Sequence, residues 1–452
     1  MRVVNPATGE LLRELDEDTE ESIAHKAQAA RAAQPAWAAR PLEQRLATIA
    51  RFKELLAEHK ERLAGTLSQE VGKPVQQALN ELNAMPARID FFLSHTAAVL
   101  ADEVVQETPL EERIGWEPLG LIANISAWNY PYFVGSNVFV PALLTGNAVL
   151  YKPSEIAALT GLAITELLHS AGVPAGVFQC VIGGGAVGAA LLQAPIDGVF
   201  FTGSYATGKR IAEAVAGRLV KVQLELGGKD PAYVTDDVDV AVAAESLADG
   251  AFYNTGQSCC AVERIYVQKA VAPVFIEKFV AAVRGFKVGD PADKTTYIGP
   301  LARQAQLAVL EEQVKDALAQ GAELLTGGKR LERPGNYFEP TVLSKAKSTM
   351  KLMREESFGP IIGIQTVQSD DEAVALMNDT DYGLTAGVYG KSRERAERIL
   401  RGVNSGTVYW NCCDRVSPRL PWTGRRHSGI GSTLSTHGIR AFVQPKAWHL
   451  RA

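Results

Sequence analysis

Short apolar segments alternate with helical patterns between Gly120 and Leu226, and this alternation restricts the possible folds more than any other feature of the chain. The apolar segments cover residues 121–125, 148–150, 178–182, 199–201 and 221–226. Between them lie helical patterns over residues 158–171, 186–193 and 207–215. Strands that alternate with helices predict a parallel, doubly wound α/β sheet, which binds its ligands beyond the carboxyl ends of the strands.

The chain has 452 residues, which is too long for one simple core, so at least two domains are expected. A second α/β region begins after Gly228. Its patterns predict helices over 240–252, 271–286 and 304–320 and a strand over 408–411. No Gly/Ser linker separates the two regions, so we expect the domains to join through short, packed connections.

The N-terminal part of the chain predicts a hairpin followed by helices. Residues 3–15 contain two extended segments around a turn that is set by proline and glycine. The predicted helices cover residues 22–36, a second stretch that begins at Pro41 and includes Leu63, and a third stretch over 75–100 that is broken or kinked near Pro86.

Composition excludes several classes of protein. Hydrophobic residues make up 46% and charged residues 21% of the chain, and no apolar run reaches the roughly 18 residues that a membrane span needs. The net charge is −5 without a basic stripe, so we expect neither a nucleic-acid partner nor a membrane partner. The N-terminus has no signal-peptide core, and four of the five cysteines form adjacent pairs, which predicts a reducing cytoplasm. The seven histidines have no metal-ligand spacing, so we predict no metal site.

Cys259 is the strongest candidate for a nucleophile. It follows the turn at Gly256-Gln257, between a predicted helix and a predicted β-branched strand. A thiolate attacks carbonyl carbon well and is a good leaving group in the second half of an acyl transfer. Two upstream motifs supply the partners for such chemistry. Glu225, in Leu-Glu-Leu-Gly-Gly-Lys, offers a carboxylate, and Asn129, in Trp-Asn-Tyr-Pro, offers an amide.

With these motifs in this order, the chain resembles the NAD(P)-dependent aldehyde dehydrogenase superfamily over nearly its whole length. The resemblance implies two doubly wound α/β domains plus a β-hairpin oligomerisation arm. It assigns residues 1–102 and 118–227 to an NAD-binding domain and residues 228–431 to a catalytic domain. Residues 103–117, which are polar and alternating, and residues 432–452 become oligomerisation segments, so a homodimer or homotetramer is expected.

The resemblance also gives the catalytic residues their roles. Cys259 attacks the aldehyde, and the oxyanion of the resulting thiohemiacetal is held by the Asn129 amide and the Cys259 backbone N–H. Glu225 is the general base that activates water for hydrolysis of the thioester, and desolvation is expected to raise its pKa. Cys260 is expected to be a structural neighbour that points away, because adjacent residues on an extended segment face opposite sides.

Several motifs predict a bound dinucleotide. The segment after residue 201 follows a strand and opens a helix, so Gly203 and Ser204 are expected at the pyrophosphate. By resemblance, the adenosine ribose lies at Lys152, Ser154 and Glu155, the nicotinamide ribose at Glu356 and the nicotinamide at Phe358. The glycine-rich run 183–188 also satisfies GxGxxG, but it lacks the acidic residue expected about 20 positions later and is equally well explained by close packing.

The Glu155 carboxylate bears on the choice of cofactor. A carboxylate at the ribose repels a 2′-phosphate, since two like charges at hydrogen-bonding distance are unfavourable. We therefore predict that NAD is preferred to NADP, although NADP remains possible.

The sequence says less about the aldehyde. Semialdehyde members of the superfamily bind a carboxylate with arginine, and Asn137 stands at that position here. Betaine-aldehyde members use aromatic residues, but Asn137 also replaces one of those, so such a cage is incomplete. The remaining residues predicted for the substrate pocket are aromatic and favour an apolar or aromatic aldehyde: Tyr130, Phe133, Tyr253 and Trp422.

Other functions remain open at this stage. A semialdehyde or a betaine aldehyde is the alternative substrate. A CoA-acylating dehydrogenase is a further alternative, although such members often lack the glutamate found at Glu225. A non-catalytic protein that binds nucleotide or serves a structural role is disfavoured by the joint presence of Asn129, Glu225 and Cys259.

Overall fold

The computed structural model describes residues 1–108 and 110–451. Pro109, inside the predicted arm, and Ala452, at the end of the second predicted oligomerisation segment, lie outside the described residues. In the part of the chain that is described, no helix is both long enough and apolar enough to cross a membrane.

The N-terminal segment is a hairpin followed by packed helices: β1 (Arg2–Val4), β2 (Leu11–Glu14), α1 (Glu20–Ala38), α2 (Leu42–Glu58), α3 (Lys60–Val71) and α4 (Val75–Leu100). The hairpin is antiparallel, as predicted. The predicted second helix is in fact two helices, because the backbone leaves helical geometry at His59 (φ −106°, ψ 10°). A break or a kink was predicted near Pro86, and of these two the break is wrong. Helix α4 continues through this proline because its buried face packs against α2 and α3.

The next segment contains the arm and the first sheet: β3 (Glu103–Gln106), β4 (Glu111–Pro118), β5 (Leu121–Ile125), α5 (Pro131–Leu144), β6 (Ala148–Lys152), α6 (Ala158–Ser170), β7 (Phe178–Cys180), α7 (Gly185–Leu191), β8 (Gly198–Thr202), α8 (Tyr205–Val215) and β9 (Lys221–Glu225). The parallel strands have the order β9-β8-β5-β6-β7. The chain therefore winds outward from β5 in both directions, and a ligand crevice is expected where the order reverses.

The second sheet follows: β10 (Asp230–Val234), α9 (Val240–Phe252), β11 (Val262–Gln268), α10 (Ala272–Arg284), α11 (Ala305–Ala319), β12 (Glu323–Thr326), β13 (Thr341–Ser344), α12 (Lys351–Arg354), β14 (Ile361–Val367), α13 (Asp370–Asn378), β15 (Thr385–Tyr389), α14 (Arg393–Arg401) and β16 (Thr407–Trp410). Its order is β12-β13-β14-β11-β10-β15-β16, and only the pairing of β12 with β13 is antiparallel within the described residues.

The C-terminal elements return to the first sheet and the arm: β17 (Gly429–Ile430), α15 (Ser435–Arg440) and β18 (Val443–Leu450). Strand β17 pairs with β9, although the sequence assigned these residues to the second domain. Strand β18 pairs with β4 along its whole length, and β4 pairs with β3. The predicted fold class, two doubly wound α/β sheets plus a β arm, is confirmed.

Candidate active site

The carboxyl ends of the first sheet face a cleft of about 860 Å³ that also reaches into the second domain. Asn129 follows β5, Lys152 ends β6, and Gly203 follows β8. Because parallel strands end at the same edge of a sheet, residues far apart in sequence meet there. Residues predicted as catalytic or cofactor-binding line this one cleft: Asn129, Lys152, Ser154, Glu155, Gly203, Ser204, Cys259, Glu356 and Phe358.

Cys259 lies in a turn whose backbone is unusual. The preceding 3-10 turn, Tyr253–Gly256, has positive φ at Asn254 (53°) and Thr255 (59°). Gly256 also has a positive φ of 71°, and a Cβ there would lie 2.3 Å from the carbonyl oxygen of Gly359. Glycine is therefore required at this position. The turn leaves Cys259 half-buried at the cleft.

Cys260 has a different environment. Its side chain belongs to the hydrophobic core and its thiol donates to Asp414 Oδ1 at 2.9 Å. The neighbouring Cys259 thiol and burial raise the pKa of Cys260 well above its usual value. Burial also raises the pKa of Asp414, to about 6. Cys260 is thus a buried, protonated thiol directed at a carboxylate.

The Asn129 side-chain amide is held at the turn that carries Cys259. Its Nδ2 donates to the backbone carbonyl of Gln257 at 3.1 Å, while the backbone carbonyl of Asn129 accepts from Lys73 Nζ at 2.9 Å and from Asn254 Nδ2 at 3.3 Å. An amide nitrogen carries two hydrogens, so one N–H of Asn129 remains for a further acceptor.

Lys73 forms a fully buried ion pair with Glu81 of α4, at 2.7 Å. Burial lowers the pKa of Lys73 despite the attraction of Glu81. The other carboxylate oxygen of Glu81 accepts the backbone N–H groups of Tyr132 (2.9 Å) and Phe133 (3.1 Å), in the first turn of α5. An anion there satisfies amides that lack helical partners, so α4 fixes the position of α5.

Glu225 ends β9, adjacent to the cleft-lining residues Leu226 and Gly227. Its carboxylate is buried, with 8% of the residue exposed, and accepts the hydroxyl hydrogen of Thr433. Burial raises the pKa of Glu225 to about 7, while the Thr433 hydrogen bond and the positive charge of Arg88 act in the lowering direction. Such a carboxyl group exchanges protons near neutrality.

One end of the cleft offers donors for an anion and for hydroxyl groups. Ser204 caps α8 by accepting from Thr207 N, and the cap leaves further N–H groups of the first turn available. Lys152 is 4% exposed, and the hydrogen bond found for its amine within the described residues is to the Pro153 carbonyl at 3.3 Å. Burial lowers its pKa. The N–H groups at the start of α8 and the amine of Lys152 are both suited to binding a dinucleotide.

Glu155 lies at the mouth of the cleft and pairs with Arg303 of the second domain at 2.8 Å. Both side chains are about half exposed (44% and 52%). This pair connects the two domains across the predicted ribose site.

Glu356 and Phe358, from the second domain, also line the cleft. Glu356 accepts the backbone N–H of Gly228 at 3.0 Å, and burial raises its pKa to about 8. A Cβ on Gly227 would lie 2.3 Å from the Glu356 carboxylate, so the chain passes too close for any side chain. The Phe358 ring packs edge-on against Trp128, with 5.5 Å between the ring centroids.

The residues predicted for the substrate pocket do not line this cleft. The rings of Tyr130 and Phe133 are stacked, with 6.2 Å between centroids. The Tyr253 hydroxyl accepts from Asn80, and Trp422 pairs through its backbone with Thr433. Asn137 is buried, and its side-chain oxygen accepts from Arg88 Nη1 at 2.6 Å.

Sequence reasoning missed the charged and polar side chains that surround these residues: Lys73, Glu81, Arg88, Arg303, Asp414 and Thr433. A signal existed only for Arg88. It shares the buried face of α4 with Met85 and Phe92, and an arginine at helical spacing on an apolar face indicates a buried cation.

The profile of the aldehyde dehydrogenase family matches residues 1–448. The chain belongs to the aldehyde dehydrogenase family. It is 34% identical to a probable succinate-semialdehyde dehydrogenase of Synechocystis sp. whose name specifies NADP(+), over 98% of each chain. It is 36% identical to a betaine aldehyde dehydrogenase of Cereibacter sphaeroides, over 98% of this chain and 92% of the relative. The solved structure of an NAD-dependent aldehyde dehydrogenase from Sinorhizobium meliloti has a TM-score of 0.97 and 32% identity, covering 100% of this chain and 91% of the other.

The predicted family and fold are therefore confirmed, and this aldehyde dehydrogenase is an oxidoreductase. The family uses NAD or NADP, and the relatives above include one of each kind.

Proposed function

We propose that this aldehyde dehydrogenase oxidises an aldehyde to the free carboxylic acid with NAD, through a thiohemiacetal and a thioester on Cys259. The observation that carries the proposal is that Cys259 and Asn129 share one cleft with the predicted dinucleotide residues, while the carboxyl group of Glu225 adjoins it with a pKa of about 7.

The first half of the reaction depends on Cys259 and Asn129. The Cys259 thiolate attacks the aldehyde carbon, and the carbonyl oxygen becomes an oxyanion. The Asn129 N–H that is not bonded to Gln257 and the Cys259 backbone N–H stabilise this charge. NAD supplies the hydride acceptor when bound, and Lys152, Ser204, Glu356 and Phe358 are the residues that would hold it.

The second half depends on Glu225. A thioester needs an activated water, and a carboxylate whose pKa lies near 7 can accept a proton from that water at neutral pH. This supports release of a free acid over transfer to CoA, because an enzyme that transfers to a thiol has no need of a water-activating base. Product analysis with and without CoA distinguishes the two: acyl-CoA as the main product would contradict hydrolysis.

The predicted apolar or aromatic character of the aldehyde stays part of the proposal. It is supported by the stacked rings of Tyr130 and Phe133, which continue from Asn129 along the first turn of α5. The relatives named for succinate semialdehyde and for betaine aldehyde leave a charged group on the substrate equally open.

A cytoplasmic homodimer or homotetramer completes the proposal. The location rests on cysteine usage, and all five thiols are free. The assembly rests on the arm, where β3 forms the edge of its sheet and exposes 53% of Val104 and 59% of Val105. An apolar sheet edge is a surface for pairing with another chain. Light scattering of the purified protein is expected to give two or four subunits, and a monomer would contradict this assignment.

Replacing Cys259 by alanine should abolish NADH formation and leave NAD binding intact, because the thiol contacts the aldehyde rather than the cofactor. Cys260→Ala is the matched control. It is expected to remain active, since its thiol is directed at Asp414. Activity measured by NADH absorbance and NAD affinity by calorimetry test both variants. An inactive Cys260→Ala beside an active Cys259→Ala would reverse the assignment.

Glu225→Gln should still produce a stoichiometric burst of NADH and then turn over about 10²–10⁴ times more slowly, the usual contribution of a general base. Hydride loss needs the Cys259 thiolate and the oxyanion donors, whereas hydrolysis needs an activated water. Stopped-flow mixing with aldehyde and NAD separates the two phases. A slow burst would indicate that Glu225 also deprotonates Cys259, and full steady-state turnover would show that another residue is the base.

The pH dependence of turnover is an independent test of the role of Glu225. Wild-type turnover should fall below pH 7, because protonated Glu225 cannot accept a proton. Thr433→Val removes a hydrogen bond that lowers the pKa of Glu225, so the acid limb should move to higher pH. Thr433→Ser keeps the hydroxyl and should keep the wild-type profile. Identical profiles for all three proteins would exclude Glu225 as the group that titrates.

Glu155→Ser should raise the ratio of kcat/KM for NADP to that for NAD by about tenfold, the equivalent of 1.4 kcal/mol. The substitution removes the repelling carboxylate and releases Arg303, which then faces the ribose site and can pair with a 2′-phosphate. Arg303→Ala in the same background is expected to cancel much of this gain. Steady-state kinetics with both cofactors provide the ratios. A wild-type enzyme that prefers NADP would contradict the proposed NAD preference.

A further inference from the structure

Arg88 is a buried cation whose hydrogen-bonding capacity is mostly unused. It lies on α4 with 4% of the residue exposed, and within the described residues its one hydrogen bond joins Nη1 to Asn137 Oδ1. The Nε atom is buried without a partner. A guanidinium carries five N–H donors, and burying it without a counter-ion is unfavourable.

Other buried arginines in this chain differ. Arg45 donates through Nε and Nη1 to the carbonyls of Leu144, Ala38 and Arg40. Arg264 donates from all three of its nitrogens, mainly to backbone carbonyls. These two side chains tie loops and helices together. Arg88 connects α4 to Asn137 alone, so the stability of the fold does not explain a buried charge at this position.

Arg88 lies against residues that the sequence predicted for the substrate pocket. Its guanidinium carbon lies 4.3 Å from the centroid of the Phe133 ring, and Phe133 stacks on Tyr130, which follows Asn129 in the chain. Burial lowers the pKa of Arg88 to about 10, and the negative charges of Glu81 and Glu225 oppose this change. The group is therefore charged at neutral pH and close enough to Glu225 to act on it.

Asn137 fixes the direction of this charge. From the sequence, the neutral Asn137 argues against a carboxylate on the substrate. In the structure its side-chain oxygen holds Arg88 Nη1 at 2.6 Å, so a guanidinium from α4 lies directly beside Asn137. The amide orients the arginine without cancelling its charge, which aspartate would do.

We infer that Arg88 is a specificity-determining residue that binds a carboxylate at the far end of the aldehyde. A carboxylate supplies both the acceptors that the guanidinium lacks and a directly paired charge, and a guanidinium fork binds it through two parallel hydrogen bonds. The inference rests on the proposed oxidation at Cys259 and names its substrate class. The aldehyde group reaches Cys259, an apolar or aromatic body lies along Tyr130 and Phe133, and the carboxylate meets Arg88.

The test uses pairs of aldehydes that differ in the distal group: 4-carboxybenzaldehyde against 4-methylbenzaldehyde, and glutarate semialdehyde against pentanal. Wild type should favour the carboxylated member of at least one pair. Arg88→Met keeps the length and apolar stem but removes the charge. It should reduce the ratio of kcat/KM for carboxylated over uncharged aldehyde by roughly 10- to 100-fold, the range expected for a charged hydrogen bond, mostly through KM.

Asn137→Asp is the second variant. It leaves Arg88 in place but gives it a permanent carboxylate partner, so the same selectivity should be lost. Terephthalate binding to Cys259→Ala, followed by calorimetry, reports the contact without catalysis, and it should disappear in the Cys259→Ala, Arg88→Met double variant. This binding measurement still tests the contact with Arg88 if Arg88→Met folds but loses activity for another reason.

Three results would overturn the inference. One is a wild type that favours the uncharged member of every pair, and another is an Arg88→Met variant with an unchanged selectivity ratio. Equal losses on both members, together with a shifted acid limb of the pH profile, would show that Arg88 acts through Glu225 and is a positioning residue only. Failure of the proposed function looks different, because wild type would then oxidise no member of either pair.

Discussion

The buried ion pair between Lys73 and Glu81 is the interaction on which the active site depends. Both side chains are fully excluded from solvent, and each makes a second contact at or beside a residue proposed for catalysis. Lys73 holds the carbonyl of Asn129, and Glu81 caps the first turn of α5. Removing one member of a buried pair typically costs about 3–5 kcal/mol, because the other charge is left uncompensated. Asn129, the proposed oxyanion donor, and the first turn of α5 are therefore positioned by Lys73 and by the α4 residue Glu81.

Burial of carboxyl groups is the second organising feature of the site. Glu225, Glu356 and Asp414 are all desolvated, and burial raises the pKa of each, to about 7, 8 and 6. At neutral pH these groups do not all carry full negative charge, so a thiolate or an oxyanion forms among them at lower electrostatic cost. Arg88 adds a positive charge next to Glu225 and so acts in the opposite direction to burial.

The two domains meet where the chain crosses between them, at Gly227 and Gly228. A Cβ on Gly228 would lie 2.6 Å from the carbonyl oxygen of Cys259, and one on Gly227 would overlap the Glu356 carboxylate. These contacts bring the end of β9, with Glu225, against the nucleophile turn and the wall of the cleft. Glycine permits the backbone to approach this closely. Direct backbone contact holds these segments together more rigidly than long side chains would.

The sequence by itself determined the fold class and the family and predicted Cys259 as the nucleophile, because alternating strands and helices and the motifs around Asn129, Glu225 and Cys259 are local patterns. It also predicted most strands of the first sheet. It missed the division of the second helix at His59, and of the break or kink that it predicted near Pro86 the break does not occur, because α4 packs against α2 and α3. Contacts between distant segments were decided only by the tertiary structure. Arg88 meeting Asn137, Thr433 meeting Glu225 and Arg303 meeting Glu155 join residues with no shared sequence pattern. The class of reaction can therefore be predicted from local motifs in the sequence. The substrate depends on how the helices pack, because these tertiary contacts set the pKa values of the site and the groups that face the substrate.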